Sequence, residues 1–194
     1  MSEDGTQGHD PDFPDRYLEF MRARWADSPL AGLARRPEAA HHAKRRATIA
    51  AGFPGETLVI PSGGERVRAN DTNFRFRPGS DHVWLTGEHD PDSVLVVQPD
   101  GEAVLYARPR SAHDDDSFFR DRVHGELWIG RRRTLEEKSE ALGVRTAHLD
   151  ELPAALDAAL ADGQGPLYVL PTYTALLELR ELLAARGDAK EYWR

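Results

Sequence analysis

An α/β fold, a mixed β-sheet flanked by helices, is predicted for this 194-residue chain by three patterns. Ser93 is followed by Val94-Leu95-Val96-Val97, an unbroken aliphatic run of the kind found in strands buried on both faces. The turn Gln98-Pro99-Asp100-Gly101 and a second apolar run, Ala103 to Tyr106, follow it, so the two runs should form an antiparallel hairpin. Helix signals come after these strands. Thr134 and Glu137 have capping-box spacing, and Gly143 stands where a helix should close. Strands and helices in one chain of this size imply helices lying on the sheet's faces.

The remaining elements read in order. Residues 1–13 are polar and rich in Gly and Pro, which predicts a disordered tail. Residues 14–36 form a helical arm: Tyr17, Leu18, Met21 and Trp25 recur at helical spacing until Ser28-Pro29. The main domain spans 37–194. Pro37 suits the first turn of a helix running to about Ala51, closed by Gly52 and Pro54. Leu58 to Ile60 is the first strand. Phe74-Arg75-Phe76-Arg77 alternates at period two and reads as a half-buried second strand. Val83 to Leu85 is a third, Val94 to Gln98 a fourth and Ala103 to Tyr106 a fifth. Helices are expected over Leu135–Leu142 and Asp150–Leu160, then a strand over Leu167–Leu170 and a leucine-rich helix over Tyr173–Arg186.

Composition narrows the function. Apolar residues at 40% and charged residues at 30% describe a soluble globular chain. No apolar run approaches the roughly 20 residues of a membrane span. A net charge of −8 argues against broad nucleic-acid binding. The acidic N-terminal stretch is the reverse of a signal peptide. With no cysteine, a reducing compartment is permitted, so the cytoplasm is the expected location.

Several residues invite chemical readings. His113 beside Asp114, Asp115 and Asp116 could hold a divalent cation, as in a small metal phosphohydrolase. The alternative is a solvated acidic turn that starts a helix. His41-His42 lacks a carboxylate one turn on, and Gly63-Gly64 lacks the other glycines of a dinucleotide loop. Arg131, Arg132 and Arg133 form the densest basic cluster, either a solvated surface or partners for Asp114 to Asp116. Arg77 and Asp81 could pair across the loop between them. Trp84 reads as a buried sheet residue or as a rim aromatic.

Taken together, Asn70-Asp71-Thr72, Phe76-Arg77 with Ser80-Asp81, Leu85-Thr86-Gly87, Asp90-Pro91 and Val94 to Val97 resemble the N-terminal domain of the aminopeptidase P family. These are Xaa-Pro aminopeptidases with the creatinase-like, pita-bread architecture. The resemblance extends upstream to Lys44 and downstream through Trp128-Ile129-Gly130-Arg131-Arg132 to about Leu152. It implies the same mixed-sheet fold. It also implies two divalent metals, usually manganese, held by two Asp, one His and two Glu of a separate C-terminal catalytic domain. No cofactor is therefore expected in this chain, which should be inactive alone. Its expected partners are that catalytic domain, peptides with proline at the second position, and further copies in a homo-oligomer. By the same resemblance Arg132, then Arg131, would bind peptide near the cleft mouth, and Trp84 would be a rim aromatic touching substrate or a neighbouring subunit. His82 and Val83 replace aromatics usual in the family. A stand-alone, non-catalytic binding or assembly module of the same fold is the other reading.

Overall fold

The computed structural model describes residues 13–23, 25, 33–69, 72–111, 113, 115–121, 123–162, 167–169 and 184. They fall into two compact units: Ala31–Pro109 with Arg133–Arg194, and Met1–Leu30 with Arg110–Arg132.

The larger unit is built on a five-stranded sheet. Its strands are β1 (Thr57–Pro61), β4 (Val94–Val97), β5 (Ala103–Ala107), β6 (Arg145–His148) and β7 (Leu167–Val169), in the order β6-β5-β4-β1-β7. The expected hairpin is present. Val94 to Val97 pair antiparallel with Tyr106 to Ala103, and the amide of Gly101 donates to the Gln98 carbonyl at 2.9 Å. β1 pairs antiparallel with β4 and parallel with β7, and β5 pairs parallel with β6, so the sheet is mixed as predicted.

Alternation along these strands feeds two apolar layers. Leu58, Ile60, Leu95, Val97 and Leu105 point to one face, where Leu85, Leu142 and Val144 complete the core. Val59, Val96, Val104 and Tyr106 point to the other, covered by Leu149, Leu152, Ala155 and Leu156. The first face carries α2 (Ala39–Gly52), α3 (Ser80–Thr86) and α6 (Leu135–Leu142); the second carries α7 (Leu152–Asp162).

The Thr134 hydroxyl accepts from the Glu137 amide at 3.2 Å, and the Glu137 carboxylate accepts from the Thr134 amide at 2.9 Å. Gly143, at φ +62°, ends that helix. α2 starts at Ala39, two residues beyond Pro37. A 3₁₀ turn, Leu149–Glu151, precedes α7.

Two expectations need correction, and one strand lacks a sequence signal. Phe74 to Arg77 form no strand; a short hairpin just before them does, β2 (Val67–Ala69) with β3 (Thr72–Asn73). Period two makes a strand only where a neighbour supplies the ladder, and here pairing stops where the Phe74 amide reaches the Arg66 carbonyl. Val83 to Leu85 belong to helix α3 rather than a strand. Its inward set, His82, Leu85 and Thr86, is spaced by three and four, a period that a three-residue apolar run cannot reveal. Strand β6 was not anticipated, because Arg145-Thr146-Ala147-His148 has neither alternation nor a β-branched run. The tail and nearly all of the final helix fall outside the described residues.

In the smaller unit, α1 (Asp15–Arg22) precedes Trp25, and α4 (Ser117–Arg120) and α5 (Glu126–Ile129) follow later in the chain. Trp25 packs at a tilt against Phe118 with ring centres 4.8 Å apart, and Arg22 donates to Asp116 at 2.6 Å. Gly125 brings α5 against α4. A side chain there would lie 2.4 to 2.8 Å from the carbonyl oxygens of Asp121, Ser117 and Phe118.

Candidate functional site

Trp84 stands on the outward side of α3 with 47% of its surface exposed, so the reading of a buried sheet residue fails. The helix turns it away from the core because His82, Leu85 and Thr86 take the inward positions. Its location is nevertheless fixed. The Trp84 carbonyl accepts from Arg45 Nη1 at 3.0 Å and from His42 Nδ1 at 2.9 Å, and the Arg45 guanidinium lies 4.9 Å from the indole ring centre.

The same helix end is tied down by two more arginines. Arg46, only 5% exposed, donates to the Leu85 carbonyl at 2.8 Å and to the Gly143 carbonyl at 3.0 Å, so one guanidinium closes the C-termini of α3 and α6. Arg36 donates to the Gly87 carbonyl at 2.8 Å.

Beyond Gly87 lies a charged centre that the sequence reading did not identify. Lys138 is 1% exposed, and its ammonium donates to Glu88 at 2.7 Å and to Asp90 at 2.5 Å. Glu88 is 2% exposed and also accepts from the amides of His89 at 2.7 Å and Asp90 at 3.1 Å. Burial alone would raise the Glu88 pKa. The Lys138 charge and hydrogen bond, with the two amides, hold it below the ordinary carboxylate value. The signal was present: Lys138 lies three residues after Leu135 and three and four before Ala141 and Leu142, on the helix's inward stripe.

A serine and a histidine also meet in the core. His82 Nδ1 donates to the Ile60 carbonyl at 2.9 Å, which leaves Nε2 to accept from the Ser93 hydroxyl at 3.1 Å. This resembles half of a nucleophilic pair, but His82 is 0% and Ser93 1% exposed, and a carbonyl rather than a carboxylate orients the ring. Burial pushes the His82 pKa down, against the Ile60 hydrogen bond and the Glu88 and Asp81 charges, so the neutral ring is favoured. The pair secures α3 to the sheet.

Arg131 and Arg132 are half-buried and follow α5 in the smaller unit, whereas Trp84 belongs to the larger one. Arg132 makes no hydrogen bond or ion pair among the described residues. Leu127, Trp128 and Ile129, just before the arginines, are 45%, 55% and 37% exposed, and Trp128 Nε1 donates to the Phe119 carbonyl at 2.7 Å.

His113 does not join Asp115 or Asp116. Its ring packs edge-on against Phe118 and lies 3.6 Å from Glu126, which also pairs with Arg110 at 3.2 Å. Asp115 accepts from the Ser117 amide at 2.7 Å, while Asp116 pairs with Arg22 and lies 3.9 Å from Arg120. The acidic turn therefore leads into a helix, and Asp114 is outside the described residues. Arg77 and Asp81, both exposed, do not pair with each other. Among the described residues no three His, Asp or Glu side chains converge as a metal site would need.

Known proteins share this fold and these segments. The family model described as aminopeptidase P, N-terminal domain, matches residues 42–168. Xaa-Pro aminopeptidase 1 of Streptomyces coelicolor is 39% identical over 183 residues, covering 92% of this chain and 36% of the relative. Xaa-Pro aminopeptidase 2 of the same organism is 45% identical over 140 residues, covering 68% and 30%. The structure of proline aminopeptidase P II from Yersinia pestis superposes with a TM-score of 0.60 at 26% identity, covering 77% of this chain and 33% of that one. The chain thus spans about a third of the length of the curated relatives it matches. The mixed sheet, its flanking helices and the segment order all agree, and the chain belongs to the aminopeptidase P N-terminal domain family.

Proposed function

We propose that this chain serves as the non-catalytic N-terminal domain of a metal-dependent Xaa-Pro aminopeptidase, which removes the residue preceding proline at a peptide N-terminus. The observation that carries the reading is one of proportion: the chain is matched over 92% of its length by a Xaa-Pro aminopeptidase of which it covers 36%. The described residues do not provide the two Asp, one His and two Glu expected around a manganese pair. In this reading the chain supplies no step of the reaction. Its part is to wall the cleft and limit access to free peptide N-termini.

In this reading Arg132 and Arg131 offer forked donors to peptide carbonyl or carboxylate groups. Trp84 offers a flat apolar rim whose pose Arg45 and His42 hold. The exposed run Leu127 to Ile129 suits contact with further copies of the enzyme. The cysteine-free composition fits the cytoplasm.

A graft tests this. The chain would replace the corresponding segment of Streptomyces coelicolor Xaa-Pro aminopeptidase 1, and manganese-dependent release of the residue before proline would be measured. The graft should turn over, while the enzyme lacking the segment and this chain alone should not. A folded graft no better than the truncated enzyme, or turnover by the chain alone, would overturn the proposal. Within an active graft, Arg132→Ala and Trp84→Ala should raise KM more than they lower kcat.

A further inference from the structure

We propose that the outer edge of β6 is a docking site for a short extended segment of a partner protein, carrying lysine or arginine at alternate positions, which adds to the sheet as a further strand. The inference goes beyond the peptidase reading and does not depend on it.

Among the described residues β6 ends the sheet and is paired on one side only, with β5, from Val104 opposite Arg145 to Ala107 opposite His148. Successive residues of a strand turn their backbone groups to opposite sides. The His148 amide faces away from β5, since it donates to Glu151 Oε1 at 3.2 Å. Thr146, two residues earlier, therefore directs its N–H and C=O outward as well. Two guards of a strand edge are missing, since β6 contains no proline and its register with β5 runs without a bulge; its protection is limited to its four-residue length and the exposed Arg145 at its start.

A groove of about 470 Å³ runs beside this edge, between α6 and the turn after β6. Glu136, Ser139 and Glu140 from α6 line it, together with Glu151. Arg145 and His148 are its basic groups, and His148 lies 3.6 Å from Asp150. Carboxylates therefore outnumber cations, on a chain whose net charge is −8. An added strand places every second side chain over the groove. Arginines or lysines at those positions would meet the carboxylates while the backbone bonds to Thr146. A second copy fits poorly, because edge-to-edge pairing would bring two sets of these carboxylates together.

The test uses the full chain and a fluorescent eight-residue peptide alternating arginine and threonine, read by anisotropy at low salt. Two controls separate strand addition from simple charge attraction: a peptide with alternate amides N-methylated, and one with glutamate for arginine. The arginine peptide should bind saturably. N-methylation, Thr146→Pro and the double substitution Glu136→Lys/Glu140→Lys should each weaken binding by about tenfold or more. Thermal melts of both variants would confirm that they fold, and slowed hydrogen exchange at the Thr146 amide would place the peptide. Equal binding of the methylated peptide, unchanged binding by folded Thr146→Pro, or no binding at all would overturn the proposal. So would a concentration-dependent dimer of the chain that Thr146→Pro abolishes, because β6 would then pair with itself.

Discussion

Replacing Lys138 with methionine should be among the most damaging single changes to this fold, although the two side chains are similar in length. Among the described residues the ammonium is the one cation bonded to Glu88, and both groups are almost fully buried. Methionine would fill most of the space but leave a carboxylate, 2% exposed, supported by only two backbone amides. Removing one member of a buried ion pair costs about 3–5 kcal/mol. Asp90 adds little to this cost, because its side chain is 39% exposed and solvent screens it. At about 3 °C per kcal/mol for a domain of this size, the melting temperature should fall by roughly 10–15 °C. Chemical denaturation at neutral pH would measure the change. A second variant, Glu88→Leu in the Lys138→Met background, should recover part of the loss, because the stranded charge goes with it. A loss below about 1 kcal/mol, or no recovery in the double variant, would refute the claim that the pair acts as a buried unit.

Acid should weaken the larger unit in two stages. The unfolded chain protonates His82 from about pH 6.5 downward while the folded ring resists, so stability falls as pH drops below that value. Glu88, whose folded pKa is lowered, contributes fully above 4.5 and loses that contribution as pH falls through the folded value. Melting temperatures should be level between pH 7 and 8 and then decline; a rise on acidification from pH 7 to 5 would contradict the assignment. Arg46→Ala removes two charge-assisted hydrogen bonds and strands the Leu85 and Gly143 carbonyls, at a cost of about 3–5 kcal/mol by urea denaturation. Gly125→Ala should destabilise by more than about 2 kcal/mol, since backbone carbonyls lie within 2.8 Å of the new carbon. Gly52→Ala, at the open end of α2, should be neutral or stabilising by up to about 1 kcal/mol.

What the sequence revealed depended on how local the determining physics was. The Thr134–Glu137 box and the Pro99-Asp100-Gly101 turn are closed by atoms a few residues apart, so their residue types alone specify them. Val94 to Val97 announces itself because a central strand must be apolar on both faces. The failures share a different cause. Phe74 to Arg77 has a strand's pattern but no neighbour to pair with, and Val83 to Leu85 is too short to declare its period. β6 is a strand only because β5 lies beside it. Of the site, the arginines and Trp84 were visible as residue types, whereas the Lys138–Glu88 pair spans fifty positions and could be suspected only from a lysine on an apolar stripe.

The pairing of β1 has a consequence for how the chain is made. Its antiparallel neighbour β4 follows within a few dozen residues, but Thr57 to Val59 meet their parallel neighbours only at Leu167 to Val169, over a hundred residues later. Contacts so distant along the chain form late. During synthesis the hairpin of β4 and β5 can close first and collect β1, while the other side of β1 stays open until β7 has been made. A hydrophobic strand with one bare edge is prone to associate with other chains. The interval before β7 docks should therefore be this domain's most aggregation-prone moment. Chains ending before Leu167 should precipitate where the full chain stays in solution, and equal solubility of the two would count against this order of assembly.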